Sequence, residues 1–265
     1  MEEFQLYHCP ACDFLFTHPV PDELSSYYQS ENYLSHHTDK TDLKTTLYKT
    51  VREYQLKRKV QLISSAGTGK NILDYGCGTG MFLKSCIQNG YICTGIEPDN
   101  DARLQAQTVT GTKIHKDISF IPSESSYDVI TLWHVLEHLP KPWETLSYFK
   151  GILKSTGILV IAVPNYLSHD AKYYRQYWAG YDVPRHLFHF SPSSIERIAN
   201  QCGYHLVLTK PMVFDSFYVS LLSEQFSNKH LTSYPTAFIE GLRSNLSAMK
   251  TGNYSSLIYV LKNNE

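Results

Sequence analysis

The chain has 265 residues, 42% of them apolar and 18% charged, enough to bury a sizeable core as one large domain or as a domain with an attachment. A formal net charge of -1 gives no electrostatic reason to expect nucleic acid or an anionic membrane as partner. The start, MEEFQLYHCPACDF, is acidic where a secretory leader is basic, and no run approaches the ~20 apolar residues of a membrane span, so a cytoplasmic location is expected.

Residues 1–45 are rich in Tyr, His, Pro and acids and lack a sustained period. Cys9 and Cys12 in HCPACDF have the spacing with which two thiolates clamp one edge of a tetrahedral zinc. No second CxxC follows, so His8, His18, His36 or His37 would have to complete the ligand set, and a metal-free segment is favoured over a zinc-bound one. Cys77, Cys86, Cys93 and Cys202 sit in strand-like or helix-like runs and read as buried thiols. A short helix is expected from about Asp22 into the aromatic run that follows. A second is expected over 44–64, where Leu47, Val51, Tyr54, Leu56, Val60 and Ile63 recur at roughly helical spacing. Its basic residues read as a solvated face, with Tyr48 or Arg52 the ones able to reach a ligand over the loop ahead.

From Asn71 the chain alternates strand and helix. NILDYG reads as a strand, Gly76, Gly78 and Gly80 as a tight turn that lets a ligand approach the backbone, and GMFLKSCIQNG as a helix. YICTGIE, TKIHK, YDVITLWHV and GILVIAVP read as further strands, separated by helices over 101–109 and in PWETLSYFKGIL. Near-continuous apolar strands divided by helices define a parallel sheet covered on both faces, a doubly wound α/β domain. SPSSIERIANQCGY is a helix started by Ser191 and Pro192 and stopped by Gly203, and YHLVLTK and SSLIYVLK bring the strands to seven.

A Gly-x-Gly turn after a strand serves many nucleoside binders, and two residues narrow the choice. A dinucleotide fingerprint wants glycine where Met81 stands, which disfavours a nicotinamide-dependent oxidoreductase. Glu97, ending the second strand, offers a carboxylate to two neighbouring ribose hydroxyls. A nucleoside cofactor without a pyrophosphate is therefore favoured.

LDYGCGTG, GIEPDN, KDI and YDVITLWHVLEHLPKP resemble the successive motifs of class I S-adenosylmethionine-dependent methyltransferases, densely over residues 71–164. The resemblance implies a Rossmann-like, mostly parallel seven-stranded sheet and S-adenosyl-L-methionine as cofactor. It implies that Asp74, Gly76 and Gly78 surround the methionine part, that Glu97 holds the ribose, and that Pro98 and Asp99 lie by the adenine. It further implies Asp117 on the adenine amino group with Ile118 beside the ring, and Trp133 and His134 beneath the methionine part. The outer parts resemble a narrower group, in which a zinc ribbon with two CxxC pairs precedes the methyltransferase and a RHLFHFSP-like stretch follows the fifth strand. With one CxxC here, 1–45 reads as a partial ribbon-like extension and 46–265 as the methyltransferase domain.

Methyl transfer needs alignment in a dry pocket, and a base only where the nucleophile must lose a proton. In sugar C-methyltransferases with a zinc ribbon, a His at a position similar to His186 lies in the active site, so His186 is the expected catalytic residue, with a backbone-bonded loop His as the alternative. His189, Tyr177 and Trp178 are expected to face the acceptor, from a loop where α/β ligands bind. His134 and His138, one helical turn apart, suggest a metal pair, but the resemblance gives that stretch to the cofactor, so no metal is expected. The reading is methylation of a small molecule, at oxygen, with C-methylation of a sugar or other carbonyl compound as the nearest alternative and a non-catalytic S-adenosylmethionine-binding module as the rival of another class. Helix-like pieces within 211–255 are expected either to cap the opening or to pair with a second subunit as a homodimer.

Overall fold

The structure, a computed structural model, describes residues 3–24, 27, 43–122, 126–227 and 233–264. The helix expected beyond Asp22, the His36 and His37 alternatives and the side chain of Tyr48 lie outside what is described.

Seven strands form one sheet in the order β5-β4-β3-β6-β7-β10-β9. They are β3 (Asn71–Tyr75), β4 (Ile92–Ile96), β5 (Ile114–His115), β6 (Tyr127–Trp133), β7 (Leu153–Pro164), β9 (Tyr204–Pro211) and β10 (Ser256–Asn263). All pairings are parallel except those of β10, which runs antiparallel to both β7 and β9. The chain order reverses between β3 and β6, and ligands of open α/β sheets bind at such a switch point.

The central strands are apolar on both faces because helices cover both. Val129, Ile130 and Leu132 of β6 and Ile158 to Val163 of β7 are essentially inaccessible, and each large aliphatic side chain so buried contributes about 1.5–3 kcal/mol. On one face α4 (Pro142–Ile152) and α6 (Pro192–Gln201) add Leu146, Phe149 and Ile195. On the other, α1 (Leu43–Ala66) and α2 (Met81–Gln88) add Val60, Ile63, Phe82 and Cys86. Between β4 and β5, α3 (Asn100–Thr110) starts where the Asp99 carboxylate accepts the Ala102 N–H and stops at Gly111 with φ 67.

The amino-terminal region is more regular than its composition suggests. β1 (Gln5–Cys9) and β2 (Phe14–His18) form a hairpin, and β2 pairs with β8 (Phe188–His189), so the segment is joined to the main domain by a three-stranded sheet. Strands this short offer too few alternations for a period to show. The late segment folds as two helices, α7 (Asp215–Phe226) and α8 (Ser233–Thr251), packed on each other and on α5 (His169–Tyr174). Among the described residues no helix is long and apolar enough to cross a membrane.

Candidate active site

The glycine turn after β3 is held by the neighbouring strand: Gly76 and Cys77 both donate their N–H to the Ile96 carbonyl, at 2.8 and 2.9 Å. Gly76 has φ 75, and a Cβ there would lie 2.5 Å from Val135 Cγ2, so the turn is pressed against the loop that follows β6. Gly78 has φ 53, and nothing described lies within 4 Å of where its Cβ would stand. That is an open cradle of backbone, the feature a ligand lying on the turn requires.

Glu97 organises the cradle. One carboxylate oxygen accepts the Gly78 N–H at 2.8 Å and the other accepts the Asp99 N–H at 2.9 Å. Burial raises its pKa while these amides lower it. Each oxygen keeps further lone-pair capacity, which is what adjacent ribose hydroxyls need. Arg103 holds the same corner by donating to the Glu97 and Pro98 carbonyls, at 2.9 Å each. Asp117 stands at the rim after β5, with its carboxylate accepting the Ser119 N–H at 2.9 Å and with Ile118 opening the 3-10 turn. Its pKa is lowered, by the Ser119 hydroxyl and then the Ser119 amide.

Below the turn, Asp74 is buried and accepts the Thr131 hydroxyl at 2.6 Å. Burial pushes its pKa up to about 7, against the lowering effects of Thr131 and Lys59. Lys59 is the residue that sequence reasoning missed. Its basic run has the pattern of a solvated face, yet its Nζ sits 4.1 Å from the centroid of the Trp133 ring. Burial lowers the Lys59 pKa, and the charges of Asp215 and Asp74 oppose that. Its signal in the sequence was weak, because one lysine of a basic run turns inward.

His134 takes a left-handed conformation, φ 58, with Nε2 3.2 Å from Asp215 Oδ2 and Nδ1 3.4 Å from Glu137 Oε1. Burial works against its charge, but Asp215 and Glu137 outweigh it and push the pKa up to about 9. Glu137 is 1% exposed. Burial opposes its ionisation, but the imidazoles of His134, His186 and His138 hold its pKa below the ordinary value.

His186, the expected catalytic residue, is buried with Nδ1 3.0 Å from the Gly180 carbonyl. A carbonyl only accepts, so Nδ1 carries a proton, while Nε2 lies 3.7 Å from Asp182 Oδ2. The His138 ring lies 4.5 Å away between centroids. His189 is also buried, with Nε2 3.1 Å from the Thr17 hydroxyl, which donates to the His186 carbonyl at 2.6 Å. The amino-terminal hairpin therefore supports the histidine cluster.

Trp178 is a correction to the sequence reading. It is 2% exposed, and its indole N–H donates to Asp170 at 2.8 Å. The hydroxyls of Ser244 and Ser255 complete the shell of that buried carboxylate at 2.6 and 2.7 Å. A large ring with a polar tip has found an internal acceptor, and it packs against Ala171 and Tyr174 of α5 and Val219 of α7 instead of facing a ligand. Tyr177, its neighbour, is 45% exposed.

Comparison with known proteins identifies the family. A family model described as a methyltransferase domain matches residues 48–209, and the chain belongs to that family. Its class is that of the class I S-adenosylmethionine-dependent methyltransferases, and its sheet is the Rossmann-like sheet of that class. Among curated relatives, the ubiquinone biosynthesis O-methyltransferase of Glaesserella parasuis is 34% identical over 110 residues, 37% of this chain and 46% of the relative. The enzyme of the same name from Histophilus somni is 27% identical over 173 residues, 55% of this chain and 72% of the relative. The chain thus spans about half the length of the first of these. A solved S-adenosylmethionine-dependent methyltransferase from Archaeoglobus fulgidus aligns with TM-score 0.55 at 19% identity, covering 84% of this chain and 100% of that one. Magnesium protoporphyrin IX methyltransferase from Synechocystis, solved with S-adenosylhomocysteine, aligns with TM-score 0.55 at 13% identity, covering 86% and 90%.

The residues present fit S-adenosylmethionine: the Gly78 cradle is open, Glu97 has lone pairs left at its rim, and the Asp74 carboxylate lies beneath.

Proposed function

We propose that the chain transfers a methyl group to a hydroxyl oxygen of a small-molecule acceptor, with Asp74, Gly76, Gly78, Glu97, Pro98, Asp117, Ile118, Trp133 and His134 holding the cofactor. S-adenosylmethionine supplies an electrophilic methyl group on a sulfonium centre and leaves as a neutral thioether. The protein's own task is to align the acceptor and to accept its proton. The observation that carries the reading is the buried His186, whose Nδ1 faces the Gly180 carbonyl and whose Nε2 lies 3.7 Å from Asp182 Oδ2, since an imidazole held between a carbonyl and a carboxylate is a base of the kind a hydroxyl acceptor needs. The O-methyltransferase names of the relatives support oxygen as the site. Balanced charge supports a small molecule over nucleic acid, and no helix among the described residues suits a membrane span. His189 and the exposed Tyr177 frame the acceptor side.

The test is labelled-methyl transfer to a panel of hydroxyl and enolisable carbonyl compounds. Hydroxyl acceptors should turn over, and His186→Asn should lower kcat by about 10²–10⁴-fold with cofactor affinity kept. Turnover of carbonyl compounds alone would move the assignment to C-methylation. Cofactor binding with no turnover across the panel would favour the non-catalytic module.

A further inference from the structure

Glu137 presents a physical problem that the reading above leaves open. It is 1% exposed, and among the described residues neither carboxylate oxygen makes a hydrogen bond of good geometry, its charge being met by the His134 imidazole with Nδ1 3.4 Å from Oε1. An ionised carboxylate without hydrogen bonds is one of the costlier groups to bury, and a coordinated cation is a standard remedy. Ligand atoms of Glu137, His138 and His186 all lie within 4.8 Å of one another, the one such grouping of His, Cys, Asp and Glu among the described residues.

Both histidines are oriented as ligands are. His138 Nδ1 lies 3.1 Å from the Arg185 carbonyl, and His186 Nδ1 lies 3.0 Å from the Gly180 carbonyl. Each carbonyl accepts the Nδ1–H and turns Nε2 toward the ligand side, the outer-shell arrangement that nearly all metal-bound histidines show, with Asp182 Oδ2 3.7 Å from Nε2 of His186. The Leu187 N–H, donating to the Glu137 carbonyl at 2.8 Å, ties the two ligand-bearing segments together.

We propose that Glu137, His138 and His186 form a binding site for one divalent transition-metal ion of the zinc class, with a coordination position left open. Two imidazoles and one carboxylate suit zinc and its first-row neighbours and fit poorly with magnesium, which prefers oxygen. Val135, two residues before Glu137, packs against Gly76 of the cofactor turn, so the segment that carries two of the three ligands touches that turn, and an acceptor can occupy the open position. An acceptor hydroxyl bound there loses its proton to solvent more readily, and its oxygen then attacks the methyl carbon as the carbon–sulfur bond breaks. The role in transfer rests on the proposed O-methylation, whereas the site itself stands on geometry alone. With the ion bound, His186 is a ligand and not the base.

The experiment is calorimetric titration of the chelator-stripped full chain with Zn²⁺ and with Mg²⁺, alongside the visible spectrum of the Co²⁺-loaded protein. One equivalent of Zn²⁺ should bind, Mg²⁺ should bind at least about 100-fold more weakly, and Co²⁺ should show intense four- or five-coordinate bands. Glu137→Gln and His186→Ala should each weaken Zn²⁺ at least about 100-fold. S-adenosylmethionine titrations of the same variants report whether they are folded. Cys9→Ser/Cys12→Ser should keep the equivalent, since those thiols are the competing zinc ligands. The proposal is overturned if no Zn²⁺ binds, or if the bound ion disappears in the cysteine variant and survives in His186→Ala. Methyl transfer that depends on His186 in metal-free protein would uphold O-methylation with His186 as the base and overturn the metal's role in transfer. Stoichiometric Zn²⁺ without any methyl transfer would uphold the site and contradict the O-methylation reading.

Discussion

His134 joins the cofactor side to the late helices through one imidazole. Its ring bridges Asp215 of α7 and Glu137, and those carboxylates push its pKa up to about 9. A pKa raised above the unfolded value of ~6.5 means that the charged form stabilises the fold fully below about pH 6.5, and that this stabilisation is lost as pH rises through about 9. The expected outcome is that the Tm gap between wild type and His134→Asn is largest near pH 6 and closes by about pH 10. A gap independent of pH would mean that the imidazole acts by packing alone. Glu97 was legible from its place after the second strand, because a strand-end carboxylate beside a glycine turn has few structural uses. Lys59 and Asp215 were not legible. Each meets the site from a helix far away in sequence, and no local pattern records which turn of a helix faces a cavity.

Among the elements, the strands and helices of 71–164 were readable because β6 and β7 are apolar throughout and the helices between are capped and stopped by glycine. The β1–β2 hairpin was hidden, since its order comes from long-range contacts. Asp13, at the tip with φ 57, accepts the hydroxyls of Ser191 and Ser193 at the start of α6, while Arg197 donates to the Ala11 carbonyl at 2.7 Å. The Ser193 hydroxyl, and after it Ser191 and His8, hold the Asp13 pKa down to about 2 despite the opposing effect of burial. A depressed carboxylate stabilises above its unfolded pKa of ~3.9 and ceases to as pH falls through about 2. Asp13→Ala should therefore cost about 1–3 kcal/mol at pH 7, read from urea unfolding, with the difference shrinking below pH 3. The Trp178 expectation failed for a related reason: α5 and α8 approach only in three dimensions, and Asp170 then offers the indole a partner.

At the scale of the whole molecule, α8 leaves Phe238, Leu242, Leu246 and Met249 exposed at intervals of three or four residues, an apolar stripe along one helix face. An apolar stripe of this kind is what the homodimer alternative for 211–255 would cover with a second copy of the chain. Light scattering should give a dimer mass for the wild type and a monomer mass for Phe238→Glu/Leu246→Glu, and a wild-type monomer at tens of micromolar would leave the segment as a cap. The glycine cradle, the Glu97 rim and the family match all converge on one cofactor. Calorimetry with S-adenosylmethionine and with NAD tests that convergence most directly. S-adenosylmethionine should bind at one site, with Glu97→Ala weaker by at least about tenfold, about 1.4 kcal/mol. Binding of NAD alone, or unchanged S-adenosylmethionine affinity in the Glu97→Ala variant, would contradict the account.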